Sequence, residues 1–218
     1  MGSEFLAYLR LGVAHIADLA GYDHLLFVAA LTGAYPARAW RRLVVLVTAF
    51  TVGHSVTLAL ATLRLVVADA RVVEALIPAT ILVTALVSIA LARRVDDSRG
   101  WRRGGDRGGD AEGPRGGPLL YALALGFGLV HGLGFSSYLR ALLGAEASIA
   151  LPLLAFNLGL EAGQLLIVAA TLLAGAVVTR VMGARRDWVL LLGGATAGLS
   201  LLLLLQRLPA LRGGAGVP

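Results

Sequence analysis

Long apolar segments dominate this chain and restrict the folds open to it. They run over residues 22–35, 43–63, 72–91, 119–142, 149–178 and 188–205. A helix needs about 20 apolar residues to cross the ~30 Å hydrocarbon core of a membrane, and most of these segments reach that length. The chain is 58% apolar, whereas a soluble domain is usually about 45–50% apolar. The sequence therefore predicts an all-α polytopic transmembrane bundle of about six spans.

The first apolar segment requires a break. A single helix over residues 6–35 would be about 45 Å long, which exceeds the thickness of the hydrocarbon core. We expect a break or strong tilt near Gly21, which would leave residues 6–19 as a short N-terminal half-helix, either interfacial or re-entrant.

The remaining organisation follows from local composition. Residues 1–5, MGSEF, contain the Gly-Ser-Glu-Phe that two adjacent cloning sites would encode, and we interpret them as a cloning remnant. Residues 96–117 hold five acids and five arginines among many glycines, a composition typical of a disordered linker. This linker separates a first membrane half, 6–95, from a second, 118–208, which is followed by a short tail, 209–218.

Charge and cysteine content exclude several functions. All nineteen basic residues are arginine, so a Walker A loop and a lysine Schiff base are both excluded. The balanced charge of the linker argues against nucleic-acid binding. The chain contains no cysteine, so any metal must be bound by histidine, carboxylate, amide or hydroxyl groups.

The arginines also predict an orientation. Thirteen lie in the loops after the first, third and fifth spans, and six lie on the other side. Arginine accumulates in cytoplasmic loops, so we predict that both termini are extracytoplasmic, an N-out/C-out topology.

Titratable groups lie where charge is most expensive. All four histidines fall in or at the ends of apolar segments, and a charged side chain at a span centre costs roughly 2.5 to 3.5 kcal/mol. Counting from the span ends predicts a track that descends from the outer mouth to the midplane, where transporter sites commonly lie. Its members are Asp23, His24, Glu74, His54, His131, Glu161 and Asn157, with His15 less securely placed because its segment can lie at the water boundary.

Structural roles compete with this interpretation. Asn157, Glu161 and Gln164 are spaced by four and three, so they share a helix face and could simply form interhelical hydrogen bonds. Glu74 lies near the end of a span, where its side chain could simply extend to the membrane interface. Four hydroxyl residues surround His54 and are expected to bond back to their own helix, with only Ser55 considered as a neighbour of a site. They are Thr48, Thr51, Ser55 and Thr57.

Five ordered motifs carry a family resemblance. GYDHLLF, TAFTVGHSVTLAL, VVEALIPATI, FGLVHGLGFSS and FNLGLEAGQL resemble the HupE/UreJ family of small bacterial membrane proteins over nearly the whole chain. The resemblance implies an inner-membrane protein of six to seven spans that serves as a nickel or cobalt permease linked to hydrogenase or urease maturation. The chain departs from the family pattern at Pro78 and Thr80. The family's histidine and acidic positions correspond to His15, Asp23, His24, His54, Glu74, His131 and Glu161.

Three functions remain open. The first is a permease for a divalent transition metal, most simply nickel or cobalt, in the bacterial inner membrane; its ligand types suit nickel, cobalt, zinc and copper alike. The second is an intramembrane zinc-dependent hydrolase that uses the same histidines and acids. The third is a polar core that only assembles the bundle. The expected partners are the lipid bilayer, the metal ion and metalloenzyme maturation proteins, with no nucleic acid.

Overall fold

The structure is a computed structural model that describes residues 2–19, 21–97, 117–143, 149–182 and 185–212. Within these ranges every regular element is a helix. The elements are α1 (Gly2–Ile16), α2 (Asp23–Gly33), a 3₁₀ turn (Ala37–Ala39), α3 (Trp40–Thr62), α4 (Ala70–Asp97), α5 (Gly117–Leu143), α6 (Ala150–Met182) and α7 (Arg185–Arg212). The predicted linker, 96–117, lies outside the described residues except at its two ends, as does the tail beyond Arg212.

The apolar helices define a multi-pass membrane protein. Among the described residues, five are long and apolar enough to cross a membrane, and a sixth apolar helix, α2, is shorter. The predicted break near Gly21 is confirmed, because α1 ends at Ile16 and α2 begins at Asp23. Six crossings and the N-out/C-out orientation stay predictions.

The broken segment follows one face of α6. A Cβ on Gly159 would collide with the carbonyl oxygen of Leu9 in α1, and Ile16 packs against Gly163. Further along, Gly33 of α2 and Gly175 of α6 line one cavity. Residue numbers rise together along both partners, so α1 and α2 run in the same direction as α6. We interpret α1 and α2 as two halves of one crossing.

Helices α3 and α5 pack backbone against backbone. A Cβ on Gly128 would collide with the carbonyl oxygen of Phe50, and one on Gly132 would collide with that of His54. Both positions advance by four, so the two helices are parallel. Small residues allow this approach, which is common between membrane helices.

Helix α4 pairs antiparallel with α7. Ile89 packs near Gly193 at one end, and Glu74 forms a 2.7 Å ion pair with Arg207 at the other.

This ion pair is expected to contribute little stability. Both side chains are about half exposed, at 52% for Glu74 and 51% for Arg207, and exposed pairs contribute about 0 to 1 kcal/mol. Glu74→Gln should therefore lower the free energy of unfolding by less than about 1 kcal/mol, measured by thermal unfolding in detergent. A larger loss, persisting in high salt, would show that the carboxylate has another structural partner.

Two apolar clusters divide the bundle along its length. The inner cluster lies toward the arginine-rich loops and contains Phe27, Val28, Leu31, Tyr35, Ala39, Leu43, Leu46, Val47, Phe50, Ile81, Leu120, Ala124 and Val168. The outer cluster contains Tyr8, Ile16, Leu58, Leu139, Leu153, Ala155, Phe156 and Leu160. On α3, His54 falls between Phe50 of the inner cluster and Leu58 of the outer one, and on α5 His131 falls between Ala124 and Leu139. The space between the clusters is where the histidines meet.

Candidate metal centre

The break in the first segment brings two histidines together. His15 lies at the end of α1 and His24 in the first turn of α2, and their ring centroids are 4.7 Å apart. A continuous helix would place residues nine positions apart about 13 Å apart along its axis. The break therefore folds the motif into a compact pair.

His54 completes a group of three. One ring nitrogen from each of His15, His24 and His54 lies within 4.8 Å of the others. A tetrahedral zinc ion with bonds of about 2.0–2.1 Å holds its ligand atoms roughly 3.3 Å apart, so the three nitrogens would have to move up to about 1.5 Å closer to bind one such ion. His131 adjoins the group, with its ring 5.0 Å from that of His24. Four imidazoles from four helices thus meet in the middle of the bundle.

Several of these ring nitrogens lack hydrogen-bond partners. His24 is 8% exposed, His54 0% and His131 1%. The buried, unpartnered atoms are Nε2 of His15 and His24, both ring nitrogens of His54, and Nδ1 of His131. An unsatisfied buried polar atom costs about 1–3 kcal/mol, and coordination to a cation would satisfy several at once. Neutral imidazole nitrogens fit a divalent transition metal.

Thr80 orients His131. Its hydroxyl donates to the carbonyl oxygen of Ile77 at 2.7 Å and lies 3.2 Å from Nε2 of His131. Since the hydroxyl proton is used, the oxygen is free to accept from an Nε2–H of His131. This tautomer leaves the lone pair on Nδ1 of His131, the nitrogen with no partner. This role was not predicted, because Thr80 stood out in the sequence only as a departure from the family pattern.

Removing that hydroxyl should weaken metal binding. Thr80→Val keeps the shape but lets the His131 ring turn, and loss of such an outer contact typically costs 10–100-fold in metal affinity. The measurement is isothermal titration of purified protein with nickel or cobalt. Thr84→Val is the matched control, because the buried Thr84 hydroxyl bonds only to its own helix, at the Thr80 carbonyl oxygen. Equal losses in both variants would contradict an orienting role.

Phenylalanines enclose the histidines. Phe135 lies 3.9 Å from the His15 ring centroid and Phe156 lies 5.6 Å from it. On the other side, Phe50 is 5.3 Å and Phe27 5.6 Å from His131. These rings belong to, or pack against, the two apolar clusters and exclude water from the imidazoles. Their part in the site was missed at the sequence level, because an apolar residue in a span carries no distinguishing signal.

Glu161 lies on a polar contact between α3 and α6. The Thr48 hydroxyl donates to Oε1 of Glu161 at 2.6 Å, and the Thr51 hydroxyl donates to Oε1 of Gln164 at 2.7 Å. The expectation that Thr48 and Thr51 bond only to their own helix was therefore wrong. It was right for Ser55, which donates to the Thr51 carbonyl oxygen at 2.6 Å, and for Thr57, which bonds to Gly53. Asn157, on the same face as Glu161, has a buried Oδ1 without a partner.

The other predicted acids lie toward the end of the bundle opposite the arginine-rich loops, which we call the outer end. Asp23 immediately precedes His24 and is half-buried, so it borders the histidine cluster. Glu74 is exposed, pairs with Arg207, and lines an outer cavity of about 90 Å³ with Arg140 and Ser136. The structure thus brings together the four histidines, and leaves Glu74 apart from them.

Fold and site together define a class: a multi-pass helical membrane protein with a buried cluster of histidines. A family model described as HupE / UreJ protein matches residues 1–207. The chain therefore belongs to the HupE/UreJ family, which is associated with nickel and cobalt transport. The five residues interpreted as a cloning remnant fall inside this match and, from Gly2 onward, inside α1. Neither a curated protein nor a solved structure matches the chain.

Proposed function

We propose that this protein is a permease that carries a divalent transition metal, nickel or cobalt, across the bacterial inner membrane. One observation carries the proposal: imidazoles from α1, α2, α3 and α5 converge between two apolar clusters with ring nitrogens that lack partners. Buried ionisable groups in a membrane bundle usually mark ion pathways. In this proposal His15, His24, His54 and His131 bind the cargo near the midplane.

The acids act before this site. Asp23, beside His24, would attract the cation and replace part of its hydration shell. Glu74 would raise the local cation concentration at the outer cavity, where its pairing with Arg207 reduces that effect. We therefore expect Glu74→Gln to slow uptake only a few-fold, and less at high salt, as for other exposed steering charges.

A polar strip leads from the histidines toward the arginine-rich end. On α3, Thr51 and Thr48 lie three and six residues before His54, so the strip extends about 9 Å along the helix. It faces Glu161 and Gln164 on α6, and Asn157 shares that face. Oxygen ligands bind nickel and cobalt less tightly than imidazole does. An ion leaving the histidines would meet these weaker ligands next, which favours release.

The membrane potential is a sufficient driving force. A 2+ ion moving inward through 100 mV gains about 4.6 kcal/mol, which corresponds to more than a thousandfold accumulation. No nucleotide-binding loop is needed for a trace metal.

The direct test is uptake of nickel or cobalt by liposomes that contain the purified protein under an imposed inside-negative potential. Uptake that depends on the potential and on the histidines supports a permease. A zinc-dependent hydrolase is the second candidate, because three clustered histidines are also a common ligand set for catalytic zinc. It predicts about one zinc ion per chain retained through purification and dialysis, with no uptake.

Glu161→Gln should separate transport from binding. Removing the charge at the polar strip should slow uptake roughly tenfold. Nickel affinity at the histidines, measured by titration, should change less than about twofold. Gln164→Glu is the companion variant, since it adds a carboxylate at the next position of the strip. Parallel loss of affinity and uptake in Glu161→Gln would instead place Glu161 among the direct ligands.

A further inference from the structure

A second cavity lies at the arginine-rich end of the bundle, away from the histidines. It has a volume of about 380 Å³ and lies between α2, α6 and α7. Gly175 leaves room for the indole of Trp188, which a Cβ on Gly175 would approach to 2.8 Å at Nε1, and Gly33 leaves room for Leu192. Small residues on two helices and an aromatic residue on the third thus line the groove.

Positive charge gathers at this cavity. Arg185 lines it and is half-buried, and Arg38 is close enough to interact with Arg185 electrostatically. Within the described residues, neither arginine forms an ion pair or hydrogen bond with a carboxylate. Arg185 is also the first residue of α7, a helix of 28 residues, whose N-terminal dipole adds positive potential. Asp187 lies in the first turn of the same helix and offsets part of this potential, but the two neighbouring arginines leave a net positive charge that favours an anion.

The interior of the cavity supplies a second observation. Thr32 lines it, is 0% exposed, and has a buried hydroxyl oxygen with no hydrogen-bond partner. The rest of the wall is mixed: Leu172 and Ala176 of α6 form an apolar strip, and Thr171 and Thr179 add hydroxyl groups. The site therefore joins a cationic mouth, one unsatisfied hydroxyl and a partly apolar groove.

We infer that this groove binds an anionic phospholipid of the leaflet that borders the arginine-rich loops. The phosphate would lie between Arg38 and Arg185, and an acyl chain would lie along Leu172 and Ala176. Basic pockets between membrane helices bind anionic lipid headgroups in this way. Inorganic phosphate would satisfy the arginines but leave the apolar wall unfilled, so the lipid is the better match. The inference does not depend on metal transport.

The test compares lipids by native mass spectrometry and thermal unfolding of the purified full chain in detergent. Phosphatidylglycerol should bind and raise the unfolding temperature at concentrations where phosphatidylcholine does not. Each arginine near a lipid surface contributes about 1 kcal/mol, so Arg38→Gln with Arg185→Gln should lower phosphatidylglycerol affinity roughly 30-fold. Arg41→Gln is the matched control, because Arg41 is exposed at the same end of the bundle and stacks on Trp40. The affinity of this variant for phosphatidylglycerol should equal that of the unmodified protein.

A variant that fills the groove tests the lipid site independently of the arginines. Ala176→Phe fills the groove from an exposed position of α6 without touching the arginines, and should also remove the preference for phosphatidylglycerol. Equal binding of phosphatidylcholine, full stabilisation by inorganic phosphate alone, or an unchanged preference in both the arginine and Ala176 variants would each overturn it. If the double arginine variant does not fold, the Ala176 variant decides the outcome.

Discussion

Replacing His54 with alanine should abolish metal uptake. His54 is 0% exposed and neither of its ring nitrogens has a partner, so the substitution breaks no hydrogen bond of the ring, and its cost in stability comes from the space that the imidazole leaves. One of its ring nitrogens lies within 4.8 Å of a ring nitrogen of His15 and of His24. Loss of an outer contact to a metal ligand already costs 10–100-fold, so loss of the ligand itself should lower nickel affinity by more than about 100-fold. Titration and liposome uptake measure the two effects.

Ser55→Ala is the matched control for this variant. Ser55 is the next residue along α3, and its hydroxyl bonds back to the Thr51 carbonyl oxygen. Uptake by Ser55→Ala should equal that of the unmodified protein. Normal uptake by a well-folded His54→Ala variant would contradict a histidine transport site. The polar residues would then be interpreted as a core that only assembles the bundle.

Replacing Gly128 with alanine should destabilise the bundle and damage the site together. The new methyl group would collide with the carbonyl oxygen of Phe50, and no flexible side chain can move aside. The helices α3 and α5 must separate, which for an overpacked core costs about 1–3 kcal/mol or more. His54 and His131 lie on these two helices, so metal affinity should fall as well. Thermal unfolding and nickel titration report the two losses.

Gly126→Ala provides the comparison on the same helix. A Cβ at Gly126 meets nothing within 4 Å, and alanine is a better helix former than glycine by about 1 kcal/mol. This variant should be as stable as the unmodified protein or slightly more so, with normal nickel affinity. If Gly126→Ala and Gly128→Ala behave alike, the close contact between α3 and α5 is not what holds the site.

The sequence predicted the parts of this structure that depend on local pattern. Apolar length located the long helices, and the excess length of the first segment located the break before Asp23. Burial of histidine in apolar segments singled out all four imidazoles, because lipid makes such groups costly unless they meet partners or a ligand. These properties can be read from residues close together in the chain.

The parts that were not predicted depend on how each helix is rotated and which helices are neighbours. Thr51 reaches α6 while Ser55, one turn later, bonds to its own helix, and nothing in the local sequence separates the two. Glu74 and Arg207 pair across 133 positions. Phe50 to His54 and Phe127 to His131 share an F-x-x-x-H spacing, but two such short matches do not predict that α3 and α5 pack as a parallel pair. Glycine spacing was the available signal, since Gly128 and Gly132 form one contact face.

The contact between α3 and α5 also limits relative movement of these two helices. Their main-chain atoms meet there, so His54 and His131 are held at a fixed separation. His15 and His24 lie on opposite sides of the helix break, so a change in the angle between α1 and α2 would move them relative to His54 and His131. Such a change would alter the distances between the four imidazole rings while α3 and α5 stay in contact.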